Sequence, residues 1–150
     1  MELISLKSQR ELEQMRRAGR ITAAARTLAG KLVAPGVTTL QIDTAVRKFI
    51  ESQGAKPSFL GYGGFPGVDV GAYIDGFHGD CAGTFPCGQV SEEAMRLIRV
   101  TEQSFWAGLK QAYPGKRVSD ISHAVQQLAE SYGYGVVRDY VGHGVGQKLH

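Results

Sequence analysis

Asp75-Gly76 is the feature that most constrains this chain, because two alternating runs of β-branched, aromatic and small residues flank it, from Val68 to Ile74 and from Phe77 to Phe85. An Asp-Gly pair tolerates the positive φ angles of a two-residue type I′ turn, so the stretch reads as a β-hairpin. That turn sets Gly71 opposite Asp80 and Asp69 opposite Ala82. Side chains alternate across a strand. One face therefore carries Asp69, Gly71, Tyr73, His78, Asp80 and Thr84, and the other Val70, Ala72, Ile74, Phe77, Cys81 and Phe85.

Asp69 and Asp80 occupy diagonal positions on adjacent strands, where Cβ atoms lie roughly 7–8 Å apart or somewhat less. One or two cations, with bonds of about 2.0–2.2 Å to each oxygen, can close that span. Without a cation, the two carboxylates repel or share a proton. Two readings are open at this point: a metal-binding face, or a solvated hairpin whose outer face holds two aspartates. Asp is depleted in strand interiors. Gly71, Gly79 and Gly83 weaken a strand unless another group must approach its backbone closely. Both facts favour the metal.

The balance of 43% hydrophobic and 21% charged residues in 150 suits one globular domain or a piece of one. The net charge of +3 comes from scattered Lys and Arg with no basic run between aromatics, which argues against nucleic acid as partner. No stretch reaches the roughly 18 apolar residues of a membrane span, and Met1 to Lys7 has no signal-peptide pattern, so a cytoplasmic protein is expected. Cys81 and Cys87 lie too far apart along one extended segment to pair, and two buried free thiols are expected.

Ser8-Gln9-Arg10-Glu11 is a capping-box signature for a helix with Leu12, Met15, Ala18, Ile21, Ala25 and Leu28 on its inner stripe, ended by Pro35-Gly36. A second helix follows Thr38-Thr39, with Ile42, Ala45, Val46, Phe49 and Ile50 inward, and stops at Gly54. Ser91-Glu92-Glu93 opens a third, with acidic residues where the helix dipole favours them, ending before Pro114-Gly115. A fourth runs from about Ser119 to Tyr132, and Tyr134 to Arg138 reads as a strand. The halves repeat. Shifting the chain by 79 residues superimposes Pro35-Gly36 on Pro114-Gly115, Ile42 on Ile121, Ala45-Val46 on Ala124-Val125, Glu51-Ser52 on Glu130-Ser131 and Gly54 on Gly133. Gly63 and Gly67 likewise fall on Gly142 and Gly146. Shared punctuation explains the Pro-Gly and Gly matches but not the others, so an internal duplication is inferred.

Tyr140-Val141-Gly142-His143-Gly144-Val145-Gly146 is not a dinucleotide loop, because its third glycine comes one residue early for Gly-x-Gly-x-x-Gly. His143, between glycines, is open to close approach, although a satisfied loop histidine fits the spacing as well. His123 lies on a predicted helix and is assigned no functional role from spacing, and His78 is assigned a structural role in the hairpin.

Taken together, the Asp69/Asp80 hairpin, Gly61-Tyr62-Gly63-Gly64-Phe65-Pro66, Asp120-Ile121-Ser122-His123-Ala124, the 140–146 loop and Leu149-His150 resemble the type I methionine aminopeptidases over essentially the whole chain. The resemblance implies the pita-bread fold, an α/β architecture with a pseudo-two-fold repeat and an antiparallel sheet covered by helices. It further implies a pair of divalent cations (cobalt, manganese, iron or zinc), with Asp69 as the chelating ligand, Asp80 as the bridging one and His143 as the imidazole ligand. His150 matches the catalytic histidine that hydrogen-bonds the scissile peptide, while Phe59, Tyr62 and Phe65 match positions near the methionine side-chain pocket. The implied partners are N-terminal methionine peptides or nascent chains at the ribosome, with no nucleic acid and no membrane.

The pattern departs from the family twice. Two metal-binding Glu, one also the expected general base, belong beyond the position of His150. A segment with a further substrate-contacting His belongs where Phe65-Pro66-Gly67 here runs straight into Val68-Asp69. Residues 1–150 are accordingly expected to form a single, incomplete catalytic domain, marginally folded, holding one weak cation and slow in turnover. A non-catalytic binding module on the same fold and an Xaa-Pro aminopeptidase relative are the alternatives.

Overall fold

The computed structural model describes residues 5–59, 70–139 and 142–150. It divides into two compact units, Met1–Cys87 with His143–His150, and Gly88–Gly142.

In the first unit, helix α1 spans Gln9–Leu32 and helix α2 spans Thr39–Ser52. Both start at the capping boxes written in the sequence. Ser8 accepts from the Glu11 N–H and the Glu11 carboxylate accepts from the Ser8 N–H, and Thr38 and Gln41 do the same for α2. Strands β1 (Lys56–Pro57), β2 (Gly71–Ile74) and β3 (Phe77–Asp80) form an antiparallel sheet in that order. The register pairs Gly71 with Asp80 and Tyr73 with His78, as the turn dictates, and Asp75 and Gly76 take φ of 53° and 86°. Among the described residues the paired register runs to Asp80, the Cys81 N–H donates to the Val70 carbonyl at 3.4 Å, and Cys87 lies on the surface while Cys81 is half-buried. The expectation of two buried thiols is thus corrected, although burial still pushes the Cys81 thiol up.

The apolar hairpin face supplies Val70, Ala72 and Ile74 to a core with Ala18, Ile21 and Ala25 of α1 and Ile42, Val46 and Ile50 of α2. Phe77 is only 2% exposed. Residues 143–150 return to this unit and lie along β3, where the His78 N–H donates to the Gly146 carbonyl at 2.8 Å. Leu149 is buried there.

The second unit contains helix α3 (Glu92–Leu109) and helix α4 (Val118–Ser131). Gly108 lets them pack closely, since a Cβ there would meet Val125 Cγ2 at 2.6 Å and Ile121 Cγ2 at 3.2 Å. The duplication extends to the backbone. α4 spans the 14 positions equivalent to α2 at an offset of 79. Gly36 and Gly115 share φ near 90°, and the bonds from Gly54 to Glu51 and from Ala55 to Ile50 recur from Gly133 to Glu130 and from Tyr134 to Ala129. After that point the copies diverge. The first continues into β1, paired with β2, whereas residues 134–138 are irregular, so the strand expected there is not formed. A strand needs a ladder partner, and 134–138 has none among the described residues.

Candidate functional site

Four of the residues singled out in the sequence lie in the first unit and are described: Phe59, Asp80, His143 and His150. Asp69, Tyr62 and Phe65 fall outside the described residues. Asp80 closes β3 on the chemical face, opposite Gly71. The segment 143–150, tied to β3 through Gly146, brings the His143 Nε2 to 3.5 Å from the Asp80 Oδ2. The two side chains are 36% and 24% exposed, so the pair opens on solvent without being fully hydrated. His150 joins them, its ring centroid 4.4 Å from that of His143.

The tautomer follows from the neighbours. His143 Nδ1 lies 3.0 Å from the Gly144 carbonyl, which can only accept, so Nδ1 carries the proton. In the neutral ring Nε2 then presents a lone pair toward the Asp80 carboxylate. Two acceptors facing each other at that distance call for a proton or a cation between them, and two bonds of about 2.0–2.2 Å to one ion can bridge the gap. The donor set therefore fits a divalent ion, with a backbone carbonyl fixing the imidazole from behind as second-sphere partners of metal-bound histidines do. Among the described residues no further His, Cys, Asp or Glu joins these two as a third ligand.

Gly71 shapes the surroundings. A Cβ there would lie 2.7 Å from the Phe59 ring and 2.8 Å from Ser58 Cβ, so the missing side chain is the space in which Phe59 and Ser58 sit, across the ladder from Asp80. Ser58 Oγ reaches His78 Nδ1 at 2.9 Å, and the His78 ring lies 4.5 Å from that of Tyr73. Sequence reasoning missed Ser58, which belongs to no local motif, and read Gly146 only as part of the 140–146 loop, without its contact to β3. Gly79, which the sequence grouped with Gly71, instead faces α1.

Burial lowers the pKa of His78 below its ordinary value. The unfolded chain then binds a proton near pH 6.5 that the folded chain refuses, so the stability this group contributes is complete above that pH and is lost as the pH falls through the window beneath it. Melting at pH 7.5 and pH 5.5 is expected to show a lower midpoint at the acidic value, with the difference reduced in His78→Asn. An equal difference in both proteins would show that other groups govern the acid sensitivity.

A sequence model of metallopeptidase family M24 matches residues 60–150. The methionine aminopeptidase of Clostridium acetobutylicum is 42% identical over 176 residues, covering 99% of this chain and 70% of that protein. The chain belongs to metallopeptidase family M24. Membership makes it a hydrolase of the metalloaminopeptidase class, and the family's chemistry depends on divalent metal. The aligned span exceeds the 150 residues here, so the relative carries residues without counterparts in this chain. The crystal structure of methionine aminopeptidase from Rickettsia prowazekii superimposes with a TM-score of 0.94 at 31% identity, over 99% of this chain and 71% of that one. The fold is the pita-bread fold, incomplete in this chain. Prolidase from Pyrococcus furiosus shares that fold, with a TM-score of 0.83 at 21% identity over 97% of this chain and 50% of that one. No helix among the described residues is long and apolar enough to cross a membrane.

Proposed function

We propose that this chain acts in metal-dependent removal of methionine from the N-terminus of peptides and nascent proteins, the activity for which its relatives are named. The observation that carries the reading is the approach of the His143 Nε2 to the Asp80 carboxylate from a distant part of the sequence. Asp69, Asp80 and His143 would hold the metal, with cobalt, manganese, iron and zinc all compatible with mixed oxygen and imidazole ligands. When bound, the metal supplies an acidified water and a polarised carbonyl. In this reading His150, whose ring lies beside that of His143, would hydrogen-bond the peptide at the scissile bond. Phe59, Tyr62 and Phe65 line the methionine side-chain pocket in this reading, and the Phe59 ring over Gly71 supports it. Residues 1–150 are read as one incomplete catalytic domain, since the family match runs through both compact units. The reaction is placed in the cytoplasm, where new N-termini leave the ribosome.

Turnover of Met-Gly-Met with excess manganese or cobalt tests the reading. The 150-residue polypeptide carries three of the five family ligands and lacks the general base among them, so it should be slower by about 10²–10⁴-fold than a chain carried through the two family glutamates. His143→Ala should abolish release of free methionine from the longer chain. Cleavage of Xaa-Pro peptides in preference to Met-Gly-Met would move the protein to the prolidase side of the fold.

A further inference from the structure

We infer that His78 is a positioning residue that locks the β1 end carrying Phe59 to the strand carrying Asp80, and so sets the methionine pocket in register with the metal ligands. The inference rests on the proposed aminopeptidase reading and adds to it a residue that touches neither metal nor substrate. β1 is two residues long, and its Pro57 has no N–H to give to the ladder. So short a strand is not held by pairing alone. Beyond it, the Ser58 N–H donates to the Gly71 carbonyl at 2.9 Å, and Ser58 Oγ pairs with His78 Nδ1 at 2.9 Å.

The second bond spans the sheet. β1 and β3 are separated by β2, with strands about 4.8 Å apart, so a side-chain bond between the outer strands must pass over the face of the middle one. It can do so because residue 71 on β2 has no Cβ, which would stand 2.8 Å from Ser58 Cβ. Tyr73, against the His78 ring, closes the other side of that gap. His78 thus fixes Phe59 through Ser58. Its backbone separately holds the 143–150 segment, through the bond to Gly146 that no side-chain substitution removes. The two attachments can therefore be tested apart.

The experiment compares wild type, His78→Ala, Ser58→Ala, the double variant and His78→Asn in three measurements: the NOE between the Phe59 ring and Gly71, calorimetric affinity for L-methionine, and calorimetric affinity for manganese. Each alanine variant is expected to lose the NOE and to weaken methionine binding about tenfold, the scale of one hydrogen bond and the contact it holds. The double variant should be no worse than either single one, because both remove the same link. His78→Asn, which keeps a hydrogen-bonding group toward Ser58, should recover most of the loss. Manganese affinity should stay within about threefold throughout, as Asp80, His143 and the Gly146 bond persist. An intact NOE in His78→Ala, or losses that add in the double variant, overturns the inference. If wild type binds neither manganese nor methionine, the aminopeptidase reading fails, and the NOE alone decides whether His78 positions Phe59.

Discussion

Gly79→Ala is expected to lower the stability of the first unit by roughly 3 kcal/mol, at the upper end of overpacking costs, and Gly79→Val to prevent its folding. A Cβ at 79 would stand 2.7 Å from both the carbonyl carbon and oxygen of Ala18 and 2.7 Å from Thr22 Oγ1. The Ala18 atoms are backbone in the middle of a 24-residue helix, and the Thr22 hydroxyl is tied to the Ala18 carbonyl at 2.9 Å with both residues 0% exposed, so neither can swing aside freely. α1 must lift from β3. The lift opens the contact that buries Phe77 and Ala25, whereas the gain from a less flexible unfolded chain is only about 0.4–1 kcal/mol. Gly19→Ala is the control, since nothing lies within 4 Å of the added methyl on the exposed side of the same helix. It should stabilise by about 0.5–1 kcal/mol. Urea melts of the three proteins, followed by far-UV circular dichroism, measure both effects. Equal midpoints for Gly79→Ala and wild type would show that α1 and β3 are not packed as closely as described.

Gly79 also shows where the sequence stopped being legible. The Asp75-Gly76 turn, the register it imposes and the apolar face of the hairpin could all be read, because turn chemistry and side-chain alternation are local. The duplication was readable for the same reason, since Pro-Gly before α2 and α4 and Gly after them mark equivalent caps. Gly71 and Gly79 look alike in the sequence, yet one makes room for Phe59 and Ser58 on the chemical face and the other for a helix on the apolar face. The alternation assigns each to its face but not the element that arrives there. Residues 134–138 have the composition of a strand without a ladder to join among the described residues, which composition does not register. The Ser58 to His78 bond links the residue just after β1 to β3 across β2, and Gly146 meets β3 from a distant segment. Neither contact has a periodicity to betray it. Asp80 and His143 were singled out for separate reasons, and only the return of 143–150 to β3 brings them within 3.5 Å.

Asp80→Asn should reduce manganese affinity by about 100-fold or more, the upper end for loss of an outer-sphere partner and a minimum for loss of a ligand, while leaving the melting temperature nearly unchanged. The amide keeps the size of the carboxylate, and its NH₂ can donate to His143 Nε2, so the apo pair gains a neutral hydrogen bond where two acceptors faced each other. What it loses is the negative charge needed to offset a divalent ion. His143→Ala should weaken binding comparably, because Nε2 is the one imidazole donor held toward Asp80 by a fixed backbone contact. Asp75→Asn removes a carboxylate of equal charge at the other end of the hairpin, where it pairs with Arg17 on the exposed surface. That exchange should leave manganese binding unaffected and cost at most about 1 kcal/mol of stability. Calorimetric titration, with paramagnetic broadening of the His143 ring protons as a second readout, separates the three cases. Equal affinities for Asp80→Asn and Asp75→Asn would mean that the ion answers only to overall charge, and the Asp80–His143 pair would then have to be explained as an imidazolium salt bridge.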